Sequence, residues 1–240
     1  MVSMLNDLWA LMIERGWALA LLKGSLVTML IGLSGMALGF VIAMPLAVMR
    51  WRKLLGVSQI VDAYSIVIRG IPGLLIIYLL FFGSVDWVRA VTTIFGYQDA
   101  ADNAYPYIVG VFAIAAISSA YSIEVIRGAL QSVPHGLIEA AHSLALPWKV
   151  TFFRITLPLA LRLALGGINN VWQMTIKDTS LISVVGLQEL MRTAAIAAGI
   201  TRSPLLFYCI AALLFFGMTA VSQSIFSAVE RSLNRGFGGR

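Results

Sequence analysis

Residues 139–158 read EAAHSLALPWKVTFFRITLP, and the polar and apolar positions around their start decide how the flanking chain is read. Leu137, Ile138, Ala141, Leu144 and Ala145 recur at helical spacing on one face, while Glu139, His142 and Ser143 fall on the other. That spacing predicts a short amphipathic helix between long apolar stretches. Ser132 is the expected N-cap and Pro134 fits the first turn. Pro147 stops the helix, because it lacks an amide donor and pushes Leu146 out of helical geometry.

Working outward, composition places the flanking chain in a bilayer. Hydrophobic residues make up 60% and charged residues 12%, far more apolar than an ordinary soluble domain. A helical span needs about 20 apolar residues, and the runs from Gly24 to Met49 and from Ser203 to Val229 carry no charge. The formal net charge of +6 follows a cytoplasmic loop bias rather than pointing to nucleic acid. Asp7 and Glu14 precede an apolar run too long for a signal-peptide core, and no small-residue cleavage site follows, so the N-terminus reads as retained. The single Cys209 excludes an intrachain disulfide.

Taken in order, Leu5, Leu8, Trp9, Met12 and Ile13 share one helical face within residues 1–23, as an interfacial helix would. The first span, 21–49, carries Gly32, Gly35 and Gly39; the four-residue spacing of the last two permits close helix contact. It ends on Arg50, Trp51, Arg52 and Lys53, a basic interfacial cluster. The second span, 57–83, holds Asp62 and Arg69 and is interrupted at Gly70, Pro72 and Gly73. Residues 84–104, with Asp86, Asp99 and Asp102, form an outer segment. A third span follows at 105–126, with Pro106 in its first turn. The fourth, 157–182, is polar for a span, with Arg162, Asn169, Asn170, Gln173, Lys177 and Asp178. Residues 183–202 are again outer, and the fifth span is 203–229. Lys and Arg gather at 50, 52, 53, 127, 149, 154, 231, 235 and 240, against 15, 23, 89, 192 and 202 on the other side, so the orientation is N-out and C-in.

Glu139, Ala140, Ala141, then Ile155, Leu157 and Pro158 resemble the EAA loop of permease subunits of binding-protein-dependent ABC importers, at that loop's spacing. Ala145 stands where the family has Gly, a residue suited to positive φ that Ala adopts less readily. Arg69 to Pro72 (RGIP), Tyr121 to Gly128 (YSIEVIRG) and Lys177 to Leu181 (KDTSL) resemble stretches of the polar amino-acid importer permeases, with Ile71 replacing a Thr and Gly73 a bulky Leu. The resemblance covers residues 20–230 and implies the type I importer permease fold. It also implies a set of partners: a second permease subunit, identical or homologous, two ATPase subunits and a periplasmic solute-binding protein. In that family the solutes are histidine, glutamine, arginine and opines.

Taken together, pattern and resemblance predict an all-α integral membrane protein of five transmembrane helices, one domain over 1–240, with a cytoplasmic coupling loop at 132–158. The resemblance implies a multi-pass subunit of the bacterial inner membrane, carrying a polar amino acid or derivative by ATP-driven alternating access. Glu139, Ala140, Ala141 and Ala145 would contact the ATPase. The chain has no Gly-Lys pair and hence no phosphate-binding loop, so ATP and Mg belong on the partner and no cofactor is expected here. His135 and His142 lie about 10 Å apart by helical rise, too far to share one metal. No nucleophile–base arrangement points to an enzyme. Ionisable groups inside a bilayer are costly, so Arg69, Lys177 and Asp178 are solute-path candidates, with Gly70, Pro72 and Gln173 beside them. Arg69 is suited to a solute carboxylate. Pairing of Asp62 with Arg69, or of Lys177 with Asp178, is the structural alternative for these charges. Broken helices with intramembrane charge would also suit an ion-coupled secondary transporter, but its internal repeats are not visible. The polar fourth span opposes a purely structural anchor.

Overall fold

The structure, a computed structural model, describes residues 12, 13, 16–95 and 98–234. Its helices in chain order are α1 (Trp17–Trp51), α2 (Val57–Gly70), α3 (Gly73–Phe95), α4 (Gln98–Gln131), α5 (His135–Ser143) and α6 (Trp148–Thr151). A π-helical turn at Phe152–Thr156 leads into α7 (Leu157–Asp178) and a 3-10 stretch at Thr179–Val185. α8 (Leu190–Thr201) and α9 (Pro204–Asn234) complete the chain. The protein is all-helical, as its sequence predicts.

Four helical stretches are long and apolar enough to cross a bilayer, and α2 with α3 makes a fifth, bent by 106° at Ile71–Pro72. Pro72 explains the break: it offers no amide, and it forces Ile71 to the extended φ of −94° and ψ of 137°. α1 has 35 residues, about 50 Å by helical rise, against about 30 Å of hydrocarbon. Its basic end therefore reaches past the apolar core.

The described chain falls into two compact units, Met1–Gly35 with Gly73–Ile114 and Thr175–Ala220, and Met36–Pro72 with Ala115–Met174 and Val221–Arg240. α1, α4, α7 and α9 each contribute to both. In the first unit Leu21, Leu190, Ala194, Phe207 and Ala211 form one buried cluster, and Ile31, Ile77, Ala113, Ile114 and Ile182 another. In the second, Ala43, Ala47 and Val61 meet Ile123, Ile126, Leu130, Phe152, Ala160 and Ala164. Small residues recur in these clusters because helices in lipid associate by close backbone approach. The predicted glycine pair shows it directly. A Cβ on Gly35 would lie 2.5 Å from Ile114 Cγ2, and one on Gly39 2.2 Å from Ser118 Oγ.

Several boundaries differ from the sequence expectation. The outer segment 84–104 is largely helical: α3 runs to Phe95, and α4 starts at Gln98 and passes through Pro106, which is therefore inside a helix rather than in its first turn. Charges such as Asp86 read as loop signals, but a helix continuing into water tolerates them. Ser132 does not cap α5. Its hydroxyl donates to the Gly128 carbonyl at 3.0 Å, closing the end of α4, and Pro134 takes the N-cap position without a side-chain bond. The interfacial helix expected over 1–23 falls mostly outside the described residues; of its face, Met12 packs against the Leu190 cluster.

Candidate functional site

α5 is a short helix attached by little of its own surface. Ala141 is buried and Ile138 packs on the second unit's core, while Glu139, Ala140, Leu137 and Leu144 are exposed. Leu144 caps the C-terminus, its amide reaching the Ala140 carbonyl at 3.1 Å. The chain then reverses through Ala145 at φ 53°. A left-handed alanine costs about 1 kcal/mol, which glycine would avoid. Pro147 begins α6 as its N-cap, but α5 has already ended at Ser143: the left-handed turn at Ala145, not Pro147, stops the helix short of the sequence expectation.

The charged residues of the second unit converge on Glu124 of α4. Arg50 of α1 bridges Asp62 and Glu124. Arg69 Nη1 reaches Glu124 Oε1 at 3.1 Å, and Arg127 Nη2 reaches Oε2 at 3.0 Å. The Arg69 guanidinium also stands 5.9 Å from the Tyr121 ring centroid. Three guanidiniums thus face two carboxylates, which leaves one positive charge in excess. Such a cluster offsets the desolvation of its charges by mutual pairing. Asp62 pairs with Arg50, and Arg69 takes Glu124. Sequence reasoning passed over Glu124, although an ionisable group within the third span was itself a signal.

The other solute-path candidates lie outside this ion-pair cluster. Gly70 and Pro72 form the break beside Arg69. Gln173 donates to Asn169 Oδ1 at 3.3 Å and to Gln223 Oε1 at 3.4 Å. Lys177 is exposed and Asp178 half-buried at the end of α7; both belong to the first unit, whereas Arg69 and Gln173 belong to the second.

A further residue missed by sequence reasoning is Glu189, wholly buried just before α8. Its carboxylate accepts the Arg192 amide at 2.8 Å and the Thr28 hydroxyl at 3.1 Å, and the Leu190 amide donates to Thr28 Oγ1 at 3.2 Å. Burial pushes its pKa above the ordinary glutamate value, against those hydrogen bonds. An acidic residue directly before an apolar helical run was the available signal.

Residues 35–235 match the family described as binding-protein-dependent transport system inner membrane component. The chain belongs to that family. It is 40% identical to the nopaline transport system permease protein NocQ of Agrobacterium fabrum, over 93% of this chain and 94% of that one. To the histidine/lysine/arginine/ornithine permease HisQ of Salmonella typhimurium it is 31% identical, over 92% and 96%. A solved amino acid ABC transporter with histidines superposes with a TM-score of 0.77 at 26% identity, covering 91% of this chain and 96% of that one. This permease is therefore a transport component, not an enzyme. Membership sets aside the secondary transporter and the structural anchor. As a binding-protein-dependent permease, it works with an ATPase and a solute-binding protein.

Proposed function

We propose that this permease imports a polar amino acid or amino-acid derivative, of the opine or basic amino-acid class, across the bacterial inner membrane. It pairs with a second permease subunit, identical or homologous, and with two ATPase subunits that hold ATP and Mg; a periplasmic protein delivers the solute. The solute class rests on the relatives, which are nopaline and histidine/lysine/arginine/ornithine permeases. The observation carrying the mechanism is α5, whose Glu139, Ala140 and Leu144 are uncovered. A short helix with a free carboxylate and small residues is a surface on which an ATPase can seat and push. Closure of the ATPases on ATP would move α5 and switch the spans between inward and outward access, which is alternating access.

Arg69 is the solute contact in this reading. With no solute it rests on Glu124, and a solute carboxylate would take over the guanidinium by charge-assisted hydrogen bonds. Gln173, Lys177 and Asp178 are further polar positions along the path.

The test uses the whole complex reconstituted in lipid. Glu139→Lys should abolish solute-stimulated ATP hydrolysis and uptake while leaving the permease folded, because a reversed charge faces the docking ATPase. Coupled hydrolysis at the unaltered rate would remove α5 from the coupling role. Arg69→Gln should raise the uptake KM about tenfold or more, by loss of a charge-assisted contact. Unchanged uptake kinetics in a normally assembled variant would remove Arg69 from the path.

A further inference from the structure

Where α1 ends, its apolar surface is left open against the π-helical turn. A cavity of about 440 Å³ lies there, lined by Met44, Pro45, Val48, Phe152, Phe153 and Leu157, with Arg52 as its one charged lining residue. That volume is within the range of small-molecule sites. The π-helical turn shapes it: Phe152 is buried, while the next residue, Phe153, is 60% exposed and stands as an open wall. Arg52 does not hang free at the rim. Its guanidinium lies 4.2 Å from the Trp148 ring centroid, and Trp148 stacks on Phe152 with centroids 5.2 Å apart and planes at 14°. Among the described residues no carboxylate lies within ion-pair distance of Arg52, although Arg50 nearby is doubly paired. An apolar trough thus ends at a held, unneutralised cation. Lys53 follows Arg52, and Lys149 and Arg154 follow Trp148 and Phe153; all three are exposed.

We propose that this cavity holds an anionic phospholipid of the cytoplasmic leaflet, with part of an acyl chain against Val48, Phe152 and Phe153 and the phosphate at Arg52. Two features support this occupant. The basic stretch Arg50 to Lys53 follows a long apolar helix, so the cavity mouth falls at the headgroup level of that leaflet. Long basic side chains at such a level keep their stems in hydrocarbon and their charge in the headgroups. The charge is complementary: one cation, already oriented by an aromatic face, meets one phosphate. A zwitterionic lipid would fill the trough equally well but would bring a like charge near Arg52. Its lining includes no residue of α5 or of the Glu124 cluster, and the proposal does not rest on the transport reading.

The test offers the full-length chain, purified in detergent, equal amounts of phosphatidylglycerol and phosphatidylcholine and counts retained lipid by native mass spectrometry. A basic residue near the membrane surface contributes about 1 kcal/mol towards anionic lipid, so about a fivefold preference for phosphatidylglycerol is expected. Arg52→Gln should erase the preference while acyl binding persists, and Arg52→Lys should keep most of it. Val48→Trp should fill the trough and reduce both lipids. Equal retention of the two lipids by the unaltered chain would overturn the proposal, as would a preference that survives Arg52→Gln. Displacement of phosphatidylglycerol by inorganic phosphate alone would also overturn it, since the acyl chain would then contribute nothing. If Val48→Trp left lipid retention intact and instead broke association between chains, the trough would be a protein interface.

Discussion

Two short helices join long ones in this permease, and they are built to opposite ends. α8 has 12 residues, of which Leu190, Ala194, Ala197 and Ala198 are buried, and it begins on a fully buried glutamate. α5 has nine residues, one of them buried, and its N-cap makes no side-chain bond. α8 has its apolar face covered and its first amides bonded, so it is part of the fold. α5 keeps a carboxylate in solvent and is followed by Leu144, 74% exposed, so much of its surface is uncovered. In the proposed coupling role, a helix that the ATPase moves is best held loosely by its own chain.

The largest expected difference between them is in stability. Glu189→Ala removes a buried acceptor and leaves the Arg192 amide and the Thr28 hydroxyl without it. That should cost about 2 kcal/mol. Glu139→Ala, at an exposed position, should change stability by less than about 0.5 kcal/mol. Denaturant unfolding of both variants in the same detergent reads the contrast. Equal losses would mean that α5 is as integral to the fold as α8.

Much of this architecture is legible in sequence, and the failures share a cause. The spans, the break at Pro72 and the close approach at Gly35 and Gly39 all follow from local pattern. Proline and glycine act on their own backbone, wherever the rest of the chain goes. Glu124 and Glu189 escaped because their meaning lies in distant partners. Glu124 draws on Arg50 and Arg69, and Glu189 on Thr28. Arg69 illustrates the intermediate case: the charge in a span was visible, but its partner was not. Ser132 failed by competition, since a residue fit to cap the next helix can also bond back to Gly128 in the previous one.

A smaller effect is the pH dependence that Glu189 gives the start of α8. Burial raises the pKa of Glu189 in the folded protein. The folded state then holds a proton that the unfolded state releases, over the interval from the ordinary glutamate value up to the raised one. Stability from this group is full below that ordinary value and is lost as pH rises through the raised pKa. In Glu189→Gln the loss should vanish, so the stability difference between wild type and variant should change across that interval. A pH profile of the difference that is flat for Glu189→Gln would mean that burial does not govern its protonation.

The smallest effect lies at the end of α5. Ala145 sits at φ 53°, where the β-carbon of an L-residue crowds the backbone and costs about 1 kcal/mol. Glycine has no β-carbon and adopts this conformation freely, but it also gives the unfolded chain more freedom to lose. The two terms oppose, and the strain is the larger, so Ala145→Gly should stabilise by about 0.5 kcal/mol. In melting temperature that is about 1 °C for a chain of this size. Ala145→Val should act the other way and more strongly, because a β-branched side chain tolerates positive φ least. A drop in melting temperature for the glycine variant would show that the turn relaxes away from positive φ in solution. The tight reversal after α5 would then be set by Pro147 alone.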